Sequence, residues 1–275
     1  KLLDCLNGKE TDETKDVEIK ITEEQKQSVK RTLASLKCLT ITHPMSCDTI
    51  NKLVECCPLL EELGIELQDC MELFPIVNLT RLKRLEIRNS PMMSAKFKSK
   101  VEPILEIIGK QLESLSLEQF DFIDLEKCAK LCPNLEMFSA QWFILLSLTH
   151  SLISANQKTA KELFSNLRYL RLRPRSQRSI PSAICTLLLS NATKLINVEL
   201  YCCDDLSDSD VKTICKRNQM KHLRSLILRH GHNITKDALN QLVCQADQLT
   251  FIDCGTLSVS KTENDNAAHL NLFHQ

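Results

Sequence analysis

The sequence predicts an α/β solenoid, with short parallel strands on one face and helices on the other. Three observations lead there. The pattern L-x-x-L-x-L, with other apolar residues sometimes substituting, recurs nine times in 275 residues. The stretches between copies carry apolar residues at helical spacing. Aromatic residues make up only 4% of the chain while apolar residues reach 43%, so aliphatic side chains, mostly leucine, must fill the core.

The pattern reads LKCLTI from Leu36, LEELGI from Leu60, LKRLEI from Leu82, LESLSL from Leu112 and LEMFSA from Leu135. It continues as LRYLRL from Leu167, LINVEL from Leu195, LRSLIL from Leu223 and LTFIDC from Leu249. Successive starts lie 22 to 32 residues apart, with a mean near 27. Alternating leucines make a half-buried strand of period two. Helical faces follow in Thr49 to Cys57 (Ile50, Leu53, Val54, Cys57), Asp210 to Cys215 (Val211, Ile214, Cys215) and Asp237 to Cys244 (Ala238, Leu239, Leu242, Val243). A strand, a turn and a helix in so few residues cannot bury both apolar faces alone, but stacked copies can. The segment from 141 to 166 is long and irregular for this period.

The ends follow a different composition. Residues 1–21 form a charged N-terminal segment, with Val17 to Ile21 as a possible extra strand. The repeat array is expected over 22–256, opening on a helix from Thr22 to Leu33 with Thr22 and Gln25 spaced as a capping box. Residues 257–275 read as a polar tail or weak cap. The first residue is Lys1, and an uncapped array exposes an apolar end face, so a longer parent protein is expected.

Several function classes are disfavoured. Lys plus Arg and Asp plus Glu each count 35, so no global field favours nucleic acid or an anionic membrane. The five glycines are too scattered for a dinucleotide-binding or nucleoside-triphosphate loop. No G-x-S-x-G elbow or H-E-x-x-H pair occurs. No apolar run approaches the roughly 18 residues of a membrane span, and Lys1 to Asp12 lacks the apolar region of a signal peptide. Fourteen cysteines raise a disulfide or zinc reading. However, Cys38, Cys128, Cys132, Cys215 and Cys244 sit in apolar segments, as reduced core cysteines do, and no C-x-x-C pair exists. Three sequons, at Asn78, Asn191 and Asn233, would suit a secreted chain. The cysteine placement favours the cytoplasm or nucleus. No cofactor and no metal is expected; His230-Gly231-His232 reads as a turn.

These residues resemble the leucine-rich repeat family, in its cysteine-containing subtype, over roughly Leu33 to Cys254. The subtype tends to read C-P-x-L before a strand, as Cys57-Pro58-Leu59-Leu60 and Cys132-Pro133-Asn134-Leu135 do, and Cys203 follows LINVELYC in register. Leu206-Ser207-Asp208-Ser209-Asp210-Val211 and Ile234-Thr235-Lys236-Asp237-Ala238-Leu239 match its helix entry. The resemblance implies a curved horseshoe, with the parallel sheet on the concave face and the helices on the convex face. It further implies a non-catalytic protein-interaction module, in particular the substrate-recognition repeats of an F-box type receptor in a cullin–RING ubiquitin ligase. Such a receptor meets a Skp-type adaptor through a separate F-box, and no F-box is evident in residues 1–35. The alternatives are a stand-alone scaffold or ribonuclease-inhibitor-like protein and, less favoured, an enzyme with no readable catalytic set.

The expected binding surface is the concave face, reached by the third, fifth and seventh positions of each copy. The two tyrosines, Tyr169 and Tyr201, both fall there, beside Arg171, Arg173 and Arg229. Trp142, the only tryptophan, follows the neighbouring strand. Tyr, Trp and Arg most often carry interface energy. Two readings of this set stand at this point: a partner-binding patch, or local pairing in which Tyr201 stacks on Arg173 and Arg229 while Arg171 meets Glu199. Trp142 has a third option, filling the core beneath the irregular segment. Arg168, Arg175 and Arg178 extend a basic run suited to phosphate or an acidic peptide.

Overall fold

The structure, a computed structural model, describes residues 23–43, 47–67, 73–89, 96–147, 163–175 and 178–255. The N-terminal strand and capping box and the C-terminal tail expected above lie outside these residues, as does most of the irregular segment.

Among the described residues, nine strands form one open parallel sheet in the order β1-β2-β3-β4-β6-β8-β9-β10-β11. They are β1 (Cys38–Thr40), β2 (Glu62–Leu67), β3 (Arg84–Asn89), β4 (Ser114–Glu118), β6 (Met137–Phe143), β8 (Tyr169–Pro174), β9 (Asn197–Tyr201), β10 (Ser225–Arg229) and β11 (Phe251–Asp253). A second, two-stranded parallel sheet joins β5 (Phe122–Asp124) to β7 (Leu145–Ser147), and β7 falls in the segment read as irregular. Helix α1 (Glu23–Ala34) precedes β1, and the crossovers carry helices α2 (Cys47–Cys56), α3 (Phe97–Lys100), α4 (Glu102–Ile108), α5 (Leu125–Leu131), α6 (Ser182–Asn191), α7 (Asp208–Arg217) and α8 (Lys236–Gln245).

The register follows from the leucine pattern. The third positions pair in one row, Cys38–Glu62–Arg84–Ser114–Met137–Tyr169–Asn197–Ser225–Phe251. Strands β8, β9 and β10 alternate between buried and open residues, because period two sends Leu170, Leu172, Val198, Leu200, Leu226 and Leu228 inward. These side chains join the inner faces of the helices in one continuous core. A one-residue slip would turn every leucine of a strand to the wrong face, so the register is strongly specified.

Side-chain caps set the starts of the last two helices. At α7, Ser207 accepts from the Asp210 backbone N–H, while Asp210 accepts from the Ser207 N–H at 3.0 Å, a reciprocal capping box. At α8, the Thr235 hydroxyl accepts from the Ala238 N–H. Thr235 also donates from its backbone N–H and its hydroxyl to the Asp208 carboxylate, at 2.7 and 2.8 Å, which ties successive helix entries together. These two donors hold the Asp208 carboxyl below its ordinary range.

The eleven cysteines whose side chains are described are free thiols. Cys57, Cys128, Cys132, Cys185, Cys203, Cys215 and Cys254 are buried. Two placements correct the sequence reading: Cys38 and Cys244 are exposed. Cys38 stands on the outward third-position row. Cys244 follows Val243 on the side of α8 turned away from the core, because helical spacing buries Leu239, Leu242 and Val243 instead. Among the described residues no helix is long and apolar enough to cross a membrane, and no three His, Cys, Asp or Glu side chains cluster to hold a metal.

Candidate functional site

The strand exits shape the site. Gln119, Trp142, Cys202 and His230 occupy the eighth position of their repeats, and each has a left-handed backbone, with φ between 57° and 65°. After β4, β9 and β10 the left-handed residue follows the strand's end, and in β6 it sits one residue before the end; each turns its successor inward: Phe120, Phe143, Cys203 and Gly231 are all buried. For residues with a Cβ this conformation costs on the order of 1–2 kcal/mol, so it persists where packing of the next residue offsets it.

In β8 the eighth position is Pro174, whose ring fixes φ near −65° and forbids that exit. Strand β8 runs on where β6 turns, and the two fall out of step: Gln141 pairs with Arg173, yet Phe143 pairs with Pro174. Trp142 is the extra residue of this bulge. Simple alternation would aim its side chain at the core; the bulge sends it out, 36% exposed.

The consequence is a stack. The guanidinium carbon of Arg173 lies 4.3 Å from the Trp142 ring centroid and 5.2 Å from that of Tyr201. The two rings come from β6 and from β9, the strands flanking β8. Both distances fall within the range of cation–π attraction.

The other predicted residues divide. Arg171 makes a two-point bridge to Glu199, its Nε and Nη2 donating at 2.8 and 2.7 Å. Arg229 pairs with Asp253 on β11. It neighbours Tyr201 in register, but its charge is engaged on the far side, so the expected stacking of Tyr201 on Arg229 gives way to an ion pair. Tyr169 is 39% exposed. It lines a shallow cleft of about 130 Å³ with Met137, Arg171, Asn197 and Glu199, beside the stack.

Charge compensation along the face isolates one residue. Arg84 pairs with Glu62, Arg88 with Glu118 at 2.6 Å, Arg171 with Glu199 and Arg229 with Asp253. Arg173 has no carboxylate partner among the described residues. Sequence reasoning found this residue but not its distinction, which rests on where neighbouring carboxylates reach.

Neither a protein-family model nor a curated protein sequence matches the chain. Solved structures do match. Internalin C2 from Listeria monocytogenes aligns with a TM-score of 0.50 at 19% identity, over 82% of this chain and 83% of that one. The fold is a leucine-rich repeat solenoid. A leucine-rich repeat protein of Leptospira interrogans aligns with a TM-score of 0.47 at 14% identity, over 86% of this chain and 64% of that one. The structure of Rad7 with Elc1 from yeast aligns with a TM-score of 0.43 at 16% identity, over 87% and 81%. Identities this low speak of fold alone. Within the leucine-rich repeat frame, the Trp142–Arg173–Tyr201 stack stands at the strand exits of the fifth to seventh copies. His230 and His232 lie in the turn after β10, their ring centroids 6.1 Å apart, with His232 3.7 Å from Asp204.

Proposed function

We propose that the chain is a non-catalytic protein-interaction module that holds an acidic segment of its partner on the open face of the sheet, at Arg173. The observation that carries this reading is the Arg173 guanidinium beside two aromatic rings, without a carboxylate partner among the described residues, on a face where the other described strand arginines each meet one. Stacking orients the planar fork while its edge N–H groups stay open to a carboxylate, which Arg binds in bidentate fashion. Trp142, Tyr169 and Tyr201 add rigid apolar area around that charge, and Arg171 and Arg229 frame it as compensated neighbours.

The cysteine pattern extends the reading to the substrate-recognition repeats of an F-box type receptor, acting in the cytoplasm or nucleus with a Skp-type adaptor bound through a separate segment. What supports this is the placement of Cys57 and Cys132 before strands and Cys203 after one, each buried as a small apolar group. A stand-alone scaffold uses the same face and differs in its companions.

Affinity capture compared between the native protein and Arg173→Glu tests both levels. The expected result is a set of acidic partners lost selectively with the charge reversal, while ligase subunits, where present, are retained. An unchanged partner set with a folded variant overturns the assignment to this face.

A further inference from the structure

A second charged site lies at the opposite end of the strands, roughly 17 Å from the stack for five residues of extended chain. The residue preceding each copy's first leucine follows a rule in the middle of the array. Gln111 donates from Nε2 to the Leu79 carbonyl (2.9 Å), Asn134 from Nδ2 to Lys110 (2.7 Å) and Asn166 from Nδ2 to Pro133 (3.2 Å). Each side chain ties its repeat to the one before. Lys194, His222 and Gln248 hold the same position in the last three repeats, and the rule ends there. Lys194 reaches a side chain, donating to Asn166 Oδ1 at 2.8 Å. His222 and Gln248 make no side-chain hydrogen bond among the described residues.

The second-position row changes at the same place. Lys37 pairs with Glu61 at 3.0 Å, Lys83 with Glu113 at 2.9 Å, and Arg168 more loosely with Glu136 at 3.4 Å. The row then continues through Ile196, Arg224 and Thr250, and Arg224 meets no carboxylate among the described residues. Both changes open onto one cleft of about 280 Å³, lined by Arg168, Lys194, Ile196, His222, Arg224 and Gln248. That volume lies near the lower edge of small-molecule sites, roughly 300–1,000 Å³.

We infer that this cleft binds a phosphate group. Its lining offers the planar fork of Arg224, the Lys194 ammonium, a ring N–H from His222 in either tautomer and the amide N–H groups of Gln248. It contains no carboxylate. Glu136 reaches its edge through Arg168. Ile196 supplies an apolar wall, which strengthens each charged hydrogen bond by displacing water. The ligand class is a phosphate dianion, either inorganic or as a phosphomonoester. This site is independent of the acidic partner proposed for Arg173.

The test titrates the full chain with inorganic phosphate and with O-phosphoserine at constant ionic strength, reading phosphorus NMR line widths and the melting temperature. Saturable broadening and a saturable rise in melting temperature are expected, since a ligand that binds only the folded state stabilises it. Arg224→Gln with Lys194→Gln should weaken binding roughly tenfold or more. Lys83→Gln, on the same row but paired with an acid, should leave it unchanged. His222→Ala, at an exposed position, is the second variant and should also weaken binding should the double variant fold poorly. A roughly tenfold preference for O-phosphoserine assigns the site to a monoester, and equal affinity assigns it to free phosphate. Melting that follows ionic strength alone, or variants that titrate like the native chain, overturns the inference.

Discussion

Trp142 and Arg173 face each other across a strand pair that has lost step, with the guanidinium carbon 4.3 Å from the ring centroid. The contact exists because Pro174 keeps β8 extended while Trp142 takes φ 57° in β6. A local backbone conflict therefore places the only tryptophan beside the strand arginine that meets no acid among the described residues.

Trp142→Gly separates stability from binding. Glycine takes a positive φ without the Cβ penalty, a gain of about 1 kcal/mol. Losing the cation–π contact at a part-exposed site costs about 0.5–1 kcal/mol. Chemical denaturation should thus stay within about 1 kcal/mol of the native protein. A partner that uses the stack should bind at least about 2 kcal/mol more weakly, the scale of a hot spot. A large loss of stability would instead make Trp142 a core residue.

The bridge between Arg171 and Glu199 has good geometry but is 43% and 22% exposed. A double-mutant cycle on Arg171→Ala and Glu199→Ala should give a coupling of about 1 kcal/mol or less, shrinking with added salt. A coupling well above that, unmoved by salt, would show a bridge more desolvated than its exposure indicates.

Leu170 is 2% exposed at the centre of β8. Leu170→Ala should cost about 2–5 kcal/mol. Each repeat contacts only its neighbours, so hydrogen exchange should accelerate first in β6, β8 and β9 rather than uniformly. Uniform acceleration would mean that the array unfolds as one unit.

The thiols should report burial site by site. Burial pushes Cys132 and Cys254 up to about 12 and Cys57 up to about 11, against an ordinary 9.0. Because these folded-state values are raised, their contribution to stability is complete below pH 9 and is lost as pH rises toward 11 or 12. Alkylation followed by mass spectrometry should label exposed Cys244 first. Exposed Cys38 should follow more slowly, since its hydrogen bond to Glu62 raises its thiol, and Cys132 and Cys254 should come last. Early labelling of Cys132 would contradict its buried placement.

The strands and rows were legible because a leucine at every second position admits one register, and each row of outward residues follows by counting. Pairing within the rows was less legible. Arg229 neighbours Tyr201 in register and Asp253 on the diagonal, and only side-chain reach chooses the acid. Trp142 was ambiguous because its direction depends on a proline in the next strand, 32 residues later; Pro174 at the eighth position is the signal that would have found the bulge. The cleft at Lys194 and His222 was hidden because its residues lie just outside the leucine frame, where no periodicity draws the eye.

Asn218 carries the last prediction. It is 4% exposed at the end of α7 and serves the preceding repeat. Its Nδ2 donates to the carbonyls of Leu189 (2.7 Å) and Ala192 (3.2 Å), at the end of α6 where helix carbonyls lack partners. Its Oδ1 accepts from the Met220 N–H at 3.0 Å. Asn218→Ala leaves these buried groups unpaired, at about 1–3 kcal/mol for an unmade hydrogen bond, and should destabilise by more than about 2 kcal/mol in denaturant. Asn218→Asp keeps the shape but sets a carboxylate oxygen against two carbonyl oxygens, so the folded state should favour the protonated acid, whose O–H can donate. The Asp pKa is then raised in the folded protein above its ordinary value near 3.9. The variant should be most stable, relative to the native protein, below about pH 4 and should lose ground as pH rises. Urea unfolding of both variants across that range checks the sign, and an Asn218→Asp protein that matches the native one at neutral pH would refute the capping role.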